Sequence, residues 1–359
     1  PAAGGFVWHG FDHRWTYNHR LSRLGGWIDG TRCRDVPVED RRHFRCEAHL
    51  YHTGASGAGP DRLEFTSYYS AVKSEHSGFL PARVRLHFKG GEEELLTDEM
   101  TVSFQPPESL DDRQRYLAVL NGYDIRLVGG AKAKKIKQLR LGVVDQPTRD
   151  RQTGRLRFRV GAAIDMNCDS FECAQQEDRV EYALDIHLLL MAGDGELDSR
   201  TKDFSVAYDW DRRLELNQEA IPLNGNTQVI KGTAGAYEAA FVGFTAIDFD
   251  LGHNGEYRDH WFVGWTQALR NVRYDPEVGS ARFDLDLMFK EWNRRTRRRI
   301  ASVTRAGEAT LRASVALVQL NDARVLRRAE SGSLRWPGKN QSPNTQAARW
   351  RQHIDLDLE

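Results

Sequence analysis

A short apolar run that closes on a glycine and an aromatic ring is written three times into this chain, as VWHGFDH at 7–13, VLNGYDI at 119–125 and AFVGFTA at 240–246. Each run heads a series of segments in the same order. After the first come RLGGWI (23–28), HFRCEAHL (43–50), ARVRLHF (82–88) and EMTVSF (99–104). After the second come RLGVV (140–144), LRFRVGAAI (156–164), LDIHLLL (184–190) and DFSVAYDW (203–210). The third leads FVGWT (262–266), ARFDLDLMF (281–289), ASVALVQL (313–320) and SGSLRW (331–336). Gly10, Gly122 and Gly243 are spaced by 112 and 121 residues, and Phe44, Phe158 and Phe283 by 114 and 125. About 100 residues is one β-sandwich's worth of chain, so the repeat predicts three tandem modules.

The segments themselves alternate with period two. Val84, Leu86 and Phe88 share one side of their stretch, as do Leu156, Phe158 and Val160, Phe204, Val206 and Tyr208, and Phe283, Leu285 and Leu287. Successive strand side chains point to opposite faces, so each pattern describes a half-buried strand of an antiparallel sheet. The expected class is all-β, with three antiparallel β-sandwich-like modules over 1–110, 111–230 and 231–359 and few short helices. The helix candidates are PPESLDDRQRYLAVL (106–120) and GTAGAYEAAF (232–241).

Composition excludes several function classes. Lysine plus arginine balances aspartate plus glutamate at 51 each, so no net field draws the molecule to nucleic acid or an acidic membrane. Nucleic acid is therefore not expected as the main partner. No run of about 18 apolar residues exists, so no membrane-spanning helix is expected. The opening PAAGG lacks the basic-then-apolar pattern of a secretion signal and would suit a chain that lost only its initiator methionine. A cytoplasmic protein, or one within an assembled particle, is the expectation.

Five local features are candidate sites. The first run, FVWHGFDHRWTYNHR (6–20), is rich in histidine and aromatic rings. Its histidines are not repeated in the other copies, whereas the Gly-aromatic step is, so the step reads as a fold feature. Trp8, Trp15 and Tyr17 are the candidate glycan platform. In the third copy, Asp248, Asp250, Asn254, Glu256 and Asp259 of DFDLGHNGEYRD (248–259) occupy the oxygen-ligand places of a calcium-type loop. The pattern departs at the turn glycine and at the last ligand, so a polar hairpin competes with a weak calcium-like cation site, and no other cofactor is expected. The cysteines fall as local pairs suited to disulfides, Cys33 with Cys46 and Cys168 with Cys173, although reduced thiols fit equally. KAKKIK (132–137) and EWNRRTRRR (291–299) are basic clusters that read as charged sheet edges guarding against aggregation or as subunit contacts.

Phosphate-loop, dinucleotide-binding, nucleophile-elbow and zinc-protease motifs are all missing. The expectation is a non-enzymatic structural protein that packs with copies of itself or another structural protein into a particle, sheath, filament or coat. A glycan-binding protein is the first alternative. The second is a metal-assisted hydrolase built on Asp250, His253 and His260 or on the histidines of the first module.

Overall fold

The computed structural model describes residues 4–14, 20–38, 41–55, 62–74, 77–90, 96–104, 115–129, 135–167, 180–193, 198–208, 227–250, 260–293, 298–300, 309–321, 323–335 and 347–357. They form strands joined, where the connection is described, by tight turns. The first repeat supplies β1 (Gly4–Arg14), β2 (Arg20–Val38), β3 (Arg41–Ala55), β4 (Arg62–Ser74), β5 (Ser77–Gly90) and β6 (Leu96–Phe104). The second supplies β7 (Arg115–Gly129), β8 (Lys135–Arg149), β9 (Leu156–Asn167), β10 (Val180–Gly193), β11 (Asp198–Tyr208) and β12 (Thr227–Lys231). The third supplies β13 (Ala239–Asp250), β14 (His260–Asp275), β15 (Ser280–Asn293), a short β16 (Arg298–Ile300), β17 (Ala309–Leu320), β18 (Ala323–Arg335) and β19 (Ala347–Asp357).

The class is all-β and every strand pairing is antiparallel. No helix occurs among the described residues. Of the two helix candidates, Arg115–Leu120 is the start of β7, and 232–238 is a turn leading into β13. In β7 the apolar residues are continuous because both faces are covered, and that continuity mimics a buried helix.

Three sheets are formed, and none belongs to one repeat. Sheet I runs β19-β3-β2-β7-β10-β5, sheet II β12-β15-β14-β1-β4-β18 with β16 added beside β15, and sheet III β11-β17-β13-β8-β9-β6. With β16 left aside, each takes the second, third and fifth strands of one repeat, the first and fourth of the next, and the sixth of the one before. The rule closes on itself, giving a pseudo-threefold body whose first strands β1, β7 and β13 lie against one another at its centre.

Alternation does what the sequence says it should. Val84, Leu86 and Phe88 of β5 are buried while Arg83, Arg85 and His87 are exposed, and β9 buries Leu156, Phe158 and Val160 between exposed arginines. The inward residues of all three sheets form one large core. A second, smaller core holds Val7, Val119 and Phe241 of the first strands with Leu189, Met191 and Val318 of the fourth. Burying both faces of a strand this way removes the period-two signal. The two described hairpin turns are built alike: Asp150 accepts the N–H groups of Gln152 and Thr153 before Gly154, and Asp275 those of Glu277 and Val278 before Gly279. Both glycines have left-handed backbones, φ 67° and 64°, which glycine adopts without a Cβ clash.

Where each first strand bends toward the centre it carries a bulge, between Trp8 and Phe11, at Asn121, and between Phe244 and Ala246. The register makes Gly10, Gly122 and Ala246 equivalent, facing Ala268, Trp27 and Gly142. This corrects the equivalence of Gly243 with the other two glycines. One glycine per facing pair is required because the backbones leave no room for two Cβ atoms; a Cβ on Gly142 would lie 2.5 Å from that of Ala246. In the third repeat the glycine has changed strands.

Past the bulge, the first strands leave their second-strand neighbours, and carboxamides replace the missing ladder. Asn121 accepts the Trp8 N–H (2.9 Å) and donates to the Phe6 carbonyl (3.0 Å). Gln146 does the same for both peptide groups of Ala118, and in the turn that precedes β13 Gln319 does so for those of Thr233. Each is a side-chain amide standing in for a peptide, as buried backbone groups require.

Candidate functional site

The outer faces of the sheets, turned away from the core, carry the polar chemistry. On sheet I the row His49–Trp27–Gly122–His187 crosses four strands in register. Because Gly122 has no side chain, the indole of Trp27 lies between the two imidazoles, stacked at 5.0 Å on His49 and 5.3 Å on His187. All three rings are buried, yet they belong to neither core. Burial depresses the His187 pKa to about 4; Asp29 and Asp185 favour its cation without overcoming that cost, and Arg83 and His49 oppose it. The imidazole is therefore neutral at physiological pH.

Beside the stack runs a ladder of ion pairs. Arg23 grips Asp124 with two hydrogen bonds of 2.8 and 2.7 Å, and Arg85 grips Asp185 in the same forked way at 2.6 and 2.9 Å. Arg126 joins them, at 3.3 Å from Asp185 and 3.8 Å from Asp124. Burial alone would raise the Asp185 carboxyl, but Arg85, Arg126 and Arg83 outweigh it and hold it below its ordinary value. Arg32 bridges Asp29 and Glu47, and Glu47 also lies 3.3 Å from His49. These charges face one another rather than an empty space. No group of three or more His, Cys, Asp or Glu side chains suited to a metal occurs among the described residues.

The equivalent place on sheet III is open. There the row is Gly161–Gly142–Ala246–Ser314, where sheet I has His49, Trp27, Gly122 and His187. Ala246 and Ser314 of that row border a depression of about 310 Å³, lined also by Arg140, Asp203, Asp248 and Arg312. Asp248 is buried, and burial raises its pKa despite a 3.5 Å hydrogen bond from Gln138 and the nearby charges of Arg312 and Arg140. On sheet II the corresponding aspartate, Asp12, accepts a hydrogen bond from Thr266.

The residues singled out from sequence fall differently. Trp8 is only 1% exposed, packed against Phe11, Tyr123 and Phe244 in the core, which corrects its assignment to a glycan platform. Both faces of its strand are covered, so an aromatic there is a packing residue. Trp15 and Tyr17 lie outside the described residues. Asp248 and Asp250 sit in the regular strand β13, and Asp248 is held by Gln138 and Arg312 rather than leading a cation loop. Asn254, Glu256, Asp259 and His253 lie outside the described residues, as do Cys168 and Cys173. Cys33 and Cys46 are joined as a disulfide between β2 and β3, with a Cα separation of 4.1 Å. Of the first-repeat histidines, His9 and His49 are buried and His87 is exposed. Within the arginine-rich run, Arg298–Ile300 form the edge strand β16 beside β15.

The ring stack and the depression were not legible in sequence. Trp27 and His187 are 160 residues apart in the chain, and only the strand register joins them.

No protein-family model matches the chain, and no curated protein matches it. Among solved structures, it aligns with a conserved protein of unknown function from Pseudomonas aeruginosa PAO1 at 9% identity, over 84% of this chain and 98% of that one, with a TM-score of 0.15. It also aligns with baculovirus P35 at 7% identity, over 82% of this chain and 94% of that one, with a TM-score of 0.08. Likenesses this slight carry no argument about fold or function.

Proposed function

We propose that the protein is a non-enzymatic structural subunit that packs with copies of itself, or with another structural protein, into a multimeric particle, sheath, filament or coat. The observation that carries this reading is the cyclic sharing of strands among the three repeats. It makes one closed body with three outer faces built on the same strand framework, a form suited to side-by-side packing. The ion pairs of sheet I also support it. Arginines and carboxylates that satisfy one another leave a polar face of paired charges rather than a reactive constellation, as interfaces that exclude buried unpaired charge require.

The test is the native mass of the purified protein by light scattering, with electron microscopy of the same fractions. A regular multimer is the expected result. A monodisperse 41 kDa monomer under all concentrations tried overturns the reading.

A further inference from the structure

We propose that the Cys33–Cys46 disulfide is a redox-responsive clip, which fixes the outer arm of the β2–β3 hairpin to the body when oxidised and frees it when reduced. The second strand of each repeat bulges at an equivalent place: between Asp29 and Arg34 in β2, between Val143 and Thr148 in β8, and between Arg270 and Arg273 in β14. Three chemistries secure the three bulges. In β8 the Gln146 amide bonds both peptide groups of Ala118, and in β14 Val272 enters the core while Asn271 donates to Asp284 at 2.7 Å. In β2 the link is the disulfide. Of the three, only the sulfur–sulfur bond answers to the redox state of its surroundings.

What lies beyond the bulge depends on that link. The register of β2 with β7 ends at Trp27, so residues 34–38 pair with β3 alone, and residues 43–45 of β3 pair outward with Asp355–Asp357 of β19. None of the described side chains of 34–38 and 41–45 belongs to either core, whereas Tyr274 packs against the large core from the corresponding arm of sheet II and Leu156 is buried in that of sheet III. At the root of the arm Cys46 is fully buried, and Cys33 packs half-buried against the same core. The other side-chain link at the root is the exposed Arg32 between Asp29 and Glu47, and ion pairs of an exposed guanidinium contribute little. A thiolate from a dithiol, or from a thiol–disulfide exchange protein, reaches the less buried Cys33 sulfur. The Cys33–Cys46 bond breaks, and Cys46 leaves as a thiolate that takes up a proton. The second thiolate of the reductant then displaces Cys33, so two electrons and two protons pass to the protein and the reductant ends as a disulfide. The clip requires nothing of the assembly reading.

The experiment is hydrogen–deuterium exchange by mass spectrometry on the full chain, oxidised and after dithiothreitol, with alkylation and peptide mapping to locate the thiols formed. Reduction is expected to speed exchange about tenfold or more in peptides covering 34–45 and 355–357 and to leave β10 and β13 unchanged. Cys33→Ala/Cys46→Ala should exchange fast there with or without reductant, and Cys168→Ser/Cys173→Ser should respond as the wild type does. Thermal melts establish that the variants are folded, and the wild type decides the matter if the alanine variant is not. Unchanged protection of the arm, once alkylation shows Cys33 and Cys46 reduced, overturns the proposal. So does protection lost evenly over all strands, a bond that dithiothreitol breaks only in denaturant, or free thiols at both positions in protein purified without reductant.

Discussion

Gly122 lies directly opposite Trp27 on the neighbouring strand, and a Cβ placed on Gly122 would stand 2.5 Å from the Cβ of Trp27 and 2.2 Å from the Gly26 carbonyl oxygen. Its φ of 116° is also one that side chains rarely adopt. Gly122→Ala is therefore expected to cost about 3 kcal/mol, from overpacking and backbone strain together. Gly235, at φ 66° with nothing within 4 Å of its Cβ position, is the control, and Gly235→Ala should cost about 1 kcal/mol. Urea unfolding of the two variants measures the difference; equal losses would remove the steric argument.

Asn121 both donates and accepts, and its replacements separate the two roles. Asn121→Asp keeps the acceptor for the Trp8 N–H but sets a carboxylate against the Phe6 carbonyl oxygen. The expected loss at neutral pH is about 3 kcal/mol, partly recovered on acidification as the carboxyl gains a proton to donate. Asn121→Leu loses a similar amount at every pH. A loss in Asn121→Asp that does not depend on pH would contradict the assigned hydrogen bonds.

Tyr123 buries its ring in the core with no hydrogen-bond partner for its hydroxyl among the described residues, and burial raises its pKa well above the ordinary value. The equivalent residue of the first repeat is Phe11. Tyr123→Phe should therefore stabilise the fold by about 1 kcal/mol, since it removes an unsatisfied polar atom at little cost in packing. A destabilised variant in the same urea series would show that the hydroxyl is partnered.

His187 makes stability depend on pH with a definite sign. Its folded pKa is about 4, below the ordinary 6.5, so over that window the unfolded chain holds a proton that the folded chain refuses. Stability is full above about pH 6.5 and falls as the pH drops, by about 3 kcal/mol at the lower limit. His187→Gln should flatten this part of the curve relative to the wild type. Parallel curves for the two proteins between pH 4 and 6.5 would refute the assignment.

Strand identity was legible wherever one face of a strand meets water. Val84–Phe88 and Leu156–Val160 announce themselves because arginines and a histidine alternate with the buried residues. At Phe6–His9 and Leu117–Tyr123 the signal fails, because the strands are buried on both faces and large apolar side chains occupy both. That is why Trp8 looked available and the start of β7 looked helical. The threefold repetition was visible, but which repeat pairs with which was not, since register between distant strands is set by packing. The exchange of glycine between strands at Gly142 and Ala246 misled the alignment for a related reason: sterics constrain the pair, not the position.

The sharing of strands among repeats also bears on how the chain is made. The outer strand of sheet I, β19, pairs with β3 across roughly three hundred residues, from Asp357↔His43 to Ala347↔Thr53. A ribosome delivers β3 long before β19, at about 5–20 residues per second, so the nascent first repeat must wait tens of seconds with that edge uncovered. Neighbouring polysome chains then present open edges to one another, and the same exchange that closes one molecule can join two. Expression at low temperature and low ribosome density should accordingly favour correctly closed chains over swapped ones.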